Sequence, residues 1–76
     1  AGSIRIYPNP AGHTVYVESP VAVRVVVYSA DGRMLMQEDN ARMLDLSQLP
    51  DGIYTLRVVS NTGLQLKVEK LIKHTR

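Results

Sequence analysis

Cysteine, phenylalanine and tryptophan are absent from this sequence. Without cysteine there is no disulfide staple and no thiolate metal site. Without tryptophan the aromatic inventory is Tyr7, Tyr16, Tyr28 and Tyr54. Tyr16 is the one expected to be exposed, and a single ring makes a poor platform for sugars. Long apolar runs are also missing. The longest is Val25-Val26-Val27-Tyr28, far short of the ~20 residues that span a bilayer as a helix. Direct membrane insertion is therefore not expected. The opening Ala1-Gly2-Ser3 is too short and polar for a signal peptide and reads as a linker. At 76 residues the chain holds one domain. Its core must be thin, with a net stability of roughly 3–5 kcal/mol, and a large catalytic cleft is hard to build. An apolar content of 45% and a net charge of +2 nevertheless separate it from disordered chains.

What is present is the vocabulary of strands. Ten valines and four isoleucines are joined by four threonines and four tyrosines, side chains that fit a pleated, half-buried surface. Ile4 to Tyr7 forms a first short strand, stopped by Pro8-Asn9-Pro10-Ala11-Gly12. His13 to Glu18 alternates, with Val15 and Val17 on one face. Val21 to Tyr28 is apolar on both faces in part, which predicts a central strand. Asp31-Gly32 is a strong hairpin signal, so Arg33 to Glu38 should pair back. Its register is ambiguous because Met34, Leu35 and Met36 are all apolar. Met43, Leu44 and Leu46 make another short strand. In the turn Leu49-Pro50-Asp51-Gly52, Leu49 is a candidate core plug. Ile53 to Ser60 follows, with Tyr54, Leu56 and Val58 on one face, and Asn61-Thr62-Gly63 is a further hairpin loop.

The closing stretch, Leu64 to Lys73, fits two patterns. As a strand it places Leu64, Leu66, Val68 and Ile72 on one face with Lys70 among them. As a helix it places Leu64, Val68, Leu71 and Ile72 together. The Gly63 turn favours the strand. The result is an all-β chain, a small antiparallel immunoglobulin-like β-sandwich of about seven strands spanning 4–73. Residues 74–76 form a tail.

The residues that do chemistry are scattered. Ser3, Ser19, Ser29, Ser47 and Ser60 have no paired base. The two histidines, His13 and His74, lie near opposite ends. That spacing predicts no zinc site, and the acids fall in turns, where Asp bonds the local backbone. The single glycines make no phosphate loop. No enzymatic activity, cofactor or metal is expected.

Charge is more informative. The last ten residues carry four cations against Glu69, and the other 66 residues sum to −1. All three lysines, Lys67, Lys70 and Lys73, lie in that basic end. No aromatic residue interleaves with them, so a nucleic-acid partner is not expected. Lysines on an edge strand also block aggregation, and they attract anionic lipid or polysaccharide without specificity.

Several motifs occur in one order. The chain opens Ile6-Tyr7-Pro8-Asn9-Pro10-Ala11 and continues with Val27-Tyr28-Ser29-Ala30-Asp31-Gly32-Arg33. Leu49-Pro50-Asp51-Gly52-Ile53-Tyr54 follows, and Lys67-Val68-Glu69-Lys70-Leu71-Ile72-Lys73 ends it. This order resembles the C-terminal sorting domain of the type IX (Por) secretion system of Bacteroidetes, of the type A class, over about Ile4 to Lys73. The resemblance implies a non-catalytic signal at the end of a cargo protein that has crossed the inner membrane by the Sec route. It implies recognition by the outer-membrane type IX translocon. Removal by a sortase-like signal peptidase would then leave the cargo at the cell surface or in the medium, commonly joined to anionic lipopolysaccharide. Carried over to this chain, Pro8, Asn9, Pro10, Asp31, Gly32, Leu49, Gly52 and Tyr54 match motif positions with structural roles. Lys67, Val68, Lys70, Leu71, Ile72 and Lys73 match the part tied to export, on an exposed edge strand that a receptor strand could extend. The alternative is an accessory β-sandwich of a secreted enzyme, binding polysaccharide or acting as a spacer. The expected state is a monomer, and an open terminal strand could also exchange between chains to give a strand-swapped dimer.

Overall fold

The alternating valines and the turn residues between them fold as seven strands. These are β1 (Arg5–Tyr7), β2 (Thr14–Glu18), β3 (Val23–Tyr28), β4 (Met34–Asp39), β5 (Met43–Asp45), β6 (Gly52–Ser60) and β7 (Gln65–Lys73). The computed structural model describes residues 3–75. Ala1 and Gly2 of the expected linker, and Arg76 of the expected tail, lie outside the described residues. Two antiparallel sheets result, one ordered β1-β2-β5 and the other β4-β3-β6-β7. This is an immunoglobulin-like sandwich in which the fourth strand lies beside the third rather than on the smaller sheet.

The core lies between the sheets. Val15, Val17, Leu44 and Leu46 face Val25, Val27, Leu56, Val58 and Leu71, all almost fully buried. β3 is central, as its partly apolar second face predicts, with β4 and β6 on its flanks. Val26 on that second face is itself buried. The strand starts later than expected: Val21 lies outside it and is half exposed, because Pro20 cannot donate to a ladder.

The ambiguous register of β4 is settled by an irregularity opposite Val27 and Tyr28. Tyr28 faces Met34 while Val27 faces Met36. The extra residue lets both Leu35 and Met36 pack against the core. The hairpin between β3 and β4 turns at Gly32, whose φ of 90° is one that side chains other than hydrogen resist.

The closing segment is a strand, not a helix. Leu64, Leu66, Val68 and Ile72 are all exposed, but they do not make the single face expected. Val68 and Ile72 lie on the outer side, and Leu66 is the extra residue where the register shifts between Lys67, opposite Val58, and Gln65, opposite Val59. Leu71 and Lys73 point inward. The reason is register: Leu71 pairs with Tyr54 of β6, and the inward row Tyr54, Leu56, Val58 is committed to the core. Residues opposite one another share a face.

Candidate recognition surface

β7 is an edge strand of the larger sheet. The three lysines matched on this edge strand are not equally exposed. A strand has a period of two, so lysines spaced by three alternate between its faces. Lys70 is exposed on the outer face, Lys67 is half-buried on the inner one, and Lys73 is buried, with 4% exposure. Of the other matched positions, Val68 and Ile72 are exposed and Leu71 is fully buried.

Lys73 is held from β6's entry turn. Its Nζ lies 3.6 Å from Oδ1 of Asp51, whose side chain is partly exposed. Asp51 also accepts the backbone N–H of Thr75 at 3.0 Å and the Thr75 hydroxyl at 2.8 Å. These hydrogen bonds, with Lys73 nearby, hold the Asp51 carboxyl below the usual aspartate value. The acid of the Leu-Pro-Asp-Gly turn therefore ties down the end of the basic segment.

The opening motif performs a similar task from the other side. After β1 the chain crosses at Pro8-Asn9-Pro10 from the smaller sheet to the larger. The Asn9 side chain then meets the free edge of β7. Its Nδ2 donates to the Lys70 carbonyl at 2.8 Å, and its Oδ1 accepts the Ile72 N–H at 3.0 Å. Ala11 continues the contact: its N–H donates to the Ile72 carbonyl at 2.7 Å, and its carbonyl accepts the His74 N–H at 2.8 Å. A carboxamide carries a donor and an acceptor like a peptide group, so Asn9 behaves as one unit of an added strand.

Other motif positions are local scaffolding. The Tyr54 ring is buried and its hydroxyl donates to the Pro50 carbonyl four residues upstream, the arrangement known as a tyrosine corner. Leu49 packs against the core as expected. Asp31 accepts a hydrogen bond from the Ser29 hydroxyl, which lowers its carboxyl pKa. Asp45 is lowered by the Ser47 N–H that it accepts.

Sequence reasoning did not reach two features. The first is the Asn9 bracket on β7, which spans more than sixty positions and leaves no local pattern. The second is on the outer face of the smaller sheet, where Tyr7 pairs opposite Tyr16. Both rings are exposed, with centroids 5.9 Å apart, and Arg5 lies 5.7 Å from the Tyr7 centroid. Period-two alternation in β1 and β2 is the signal that could have found this second ring.

A groove of about 440 Å³ opens beside the first half of β7, lined by Ser3, Ile4, Pro20, Val21, Leu66 and Lys67. Among the described residues no group of three or more His, Asp or Glu side chains is placed to hold a metal ion.

Comparison with known families finds a match. A family model described as secretion system C-terminal sorting domain covers residues 5–74, which includes both end motifs. A search of curated proteins finds no match.

Proposed function

The chain belongs to the family of secretion system C-terminal sorting domains, and on that premise we propose that it directs a cargo through the outer-membrane type IX translocon. A sortase-like signal peptidase then separates domain from cargo at the surface, and the cargo is joined to the cell surface or released. The observation that carries this reading is the family match from Arg5 to His74. The roles of the matched residues divide by burial. Lys70, Val68 and Ile72, with the half-buried Lys67, make the contact. Leu71 and Lys73 act indirectly, by seating β7 so that its outer face and edge are presented.

Fusion of the domain to a reporter carrying a Sec signal tests this. Export should be lost, with periplasmic retention, when the domain is removed. A double variant Lys67→Ala, Lys70→Ala that keeps its melting temperature should reduce export. Unchanged export of that variant would count against the charges, and unchanged export without the domain would count against the sorting function itself.

The Tyr7–Tyr16 pair favours a second reading, an accessory module that stacks a sugar ring. Two adjacent exposed rings offer more apolar area than the single ring the sequence promised. Titration with soluble polysaccharide, read by tyrosine fluorescence, separates the two. Saturable binding abolished by Tyr16→Ala supports the module, and an unchanged signal removes it.

A further inference from the structure

Sheet edges are usually shielded because unpaired N–H and C=O groups recruit other strands. Three edges of this sandwich are shielded. β1 and β5 are three residues long. β4 ends in the exposed, mostly charged run Gln37, Glu38, Asp39. β7 is nine residues long and is treated unevenly. Its second half is occupied on the free edge by Asn9 and Ala11. Its first half is not.

The free groups follow from register. Ile72 turns both its N–H and its C=O to the outer edge, and Lys70 turns its C=O there. Antiparallel pairing alternates by one residue, and Val68 opposes Arg57 with no irregularity between them and Ile72. The N–H and C=O of Val68 and the N–H of Lys70 therefore face that same edge. None has a hydrogen-bond partner among the described residues. Beside them lies the apolar groove of Ile4, Val21 and Leu66. Lys67 is in the groove lining and is matched by Glu69 at 3.5 Å, while Lys70 is exposed on the outer face of the strand beside that edge.

We propose that this half-edge accepts one extended segment of a partner protein, which adds a strand to β7 at Val68 and Lys70. It continues outward the hydrogen-bonded line that Asn9 begins. The segment is apolar on the side that meets the groove and carries an acidic residue beside Lys70. An extended backbone supplies the alternating donor and acceptor that complement Val68 and Lys70 along the strand. The inference rests on the sorting reading and specifies how its surface is used.

Proline is tolerated on an edge strand where its missing N–H would have faced outward. Val68→Pro thus deletes one free donor and leaves the β6 ladder intact, while Val68→Thr keeps the donor. In the reporter assay the expected result is roughly a tenfold loss of export for Val68→Pro, as for a lost buried hydrogen bond of ~1.4 kcal/mol, and clearly higher export for Val68→Thr than for Val68→Pro. Normal export of a folded Val68→Pro reporter overturns strand acceptance and leaves the sorting reading standing. Normal export of a domain-deleted reporter overturns both. Should Val68→Pro fail to fold, amide exchange on the unaltered chain decides. The probe is a soluble hexapeptide of alternating valine and threonine with one glutamate. Slowing of Val68 N–H exchange by about tenfold or more on its addition supports the proposal, and no slowing overturns it.

Discussion

Asn9 and Ile72 stand 63 positions apart and are joined by a 3.0 Å hydrogen bond from the Ile72 N–H to the Asn9 carboxamide. The same carboxamide donates to Lys70 two residues earlier. The Tyr-Pro-Asn-Pro opening and the lysine-rich ending are therefore two sides of one contact. The seating of the lysine-rich closing strand depends on a residue near the start of the chain.

Asn9→Ala removes both bonds. The freed backbone groups face water, so the cost stays modest, about 1 kcal/mol. A urea midpoint shift of that size is expected, with unchanged slope. The Ile72 and His74 amides should exchange faster while those of β3 do not.

Tyr54→Phe keeps the buried ring and deletes the hydroxyl that meets the Pro50 carbonyl. A loss of roughly 1 kcal/mol is expected, with the far-ultraviolet circular dichroism of the native domain retained. Tyr54→Ala, which empties the core at that point, should cost about 3 kcal/mol or more and leave the domain largely unfolded, given its thin core.

At Lys73 the stem is buried and the amine reaches Asp51. Lys73→Met preserves most of that packing and Lys73→Ala does not. Thermal melts should rank the wild type above Lys73→Met, with Lys73→Ala lowest by roughly 2 kcal/mol. Equal losses in the two variants would mean that the ion pair, not the stem, holds the strand end.

Stability should fall in acid below about pH 4. Asp31, Asp45 and Asp51 are each held below their ordinary value of 3.8, mainly by hydrogen bonds from Ser29, Ser47 and Thr75 respectively. A carboxyl with a lower value in the folded state binds fewer protons there than in the unfolded chain. Its contribution is complete above the unfolded value and is lost as pH falls through the folded one. Urea midpoints measured down the acid limb should show this decline. Asp51→Asn should flatten it, since that side chain no longer titrates.

Much of the molecule was legible beforehand. The valine alternation of β2 and β6 placed Val15, Val17, Tyr54, Leu56 and Val58 in the core because one face of each strand is plainly more apolar. Asp31-Gly32 marked its hairpin because glycine takes the required φ. β7 was harder, because the sequence pattern puts Leu64, Leu66, Val68 and Ile72 on one apolar face while Leu71 sits alone among charges on the other. Hydrophobicity by itself would bury the wrong side.

The sequence determined by itself that the chain is all-β, where its turns fall, and which motifs it shares with sorting domains. Those properties reside in short windows, in the φ preferences of Gly and Pro and in a period of two. The tertiary structure alone decided which side of β7 faces water, that Lys73 is buried while Lys70 is exposed, and that Asn9 covers only half of the edge. Each follows from a pairing across the sheet. Leu71 must stand opposite Tyr54, and Tyr54 is committed to the core between the two sheets. A strand with apolar residues on both faces takes its orientation from its neighbour.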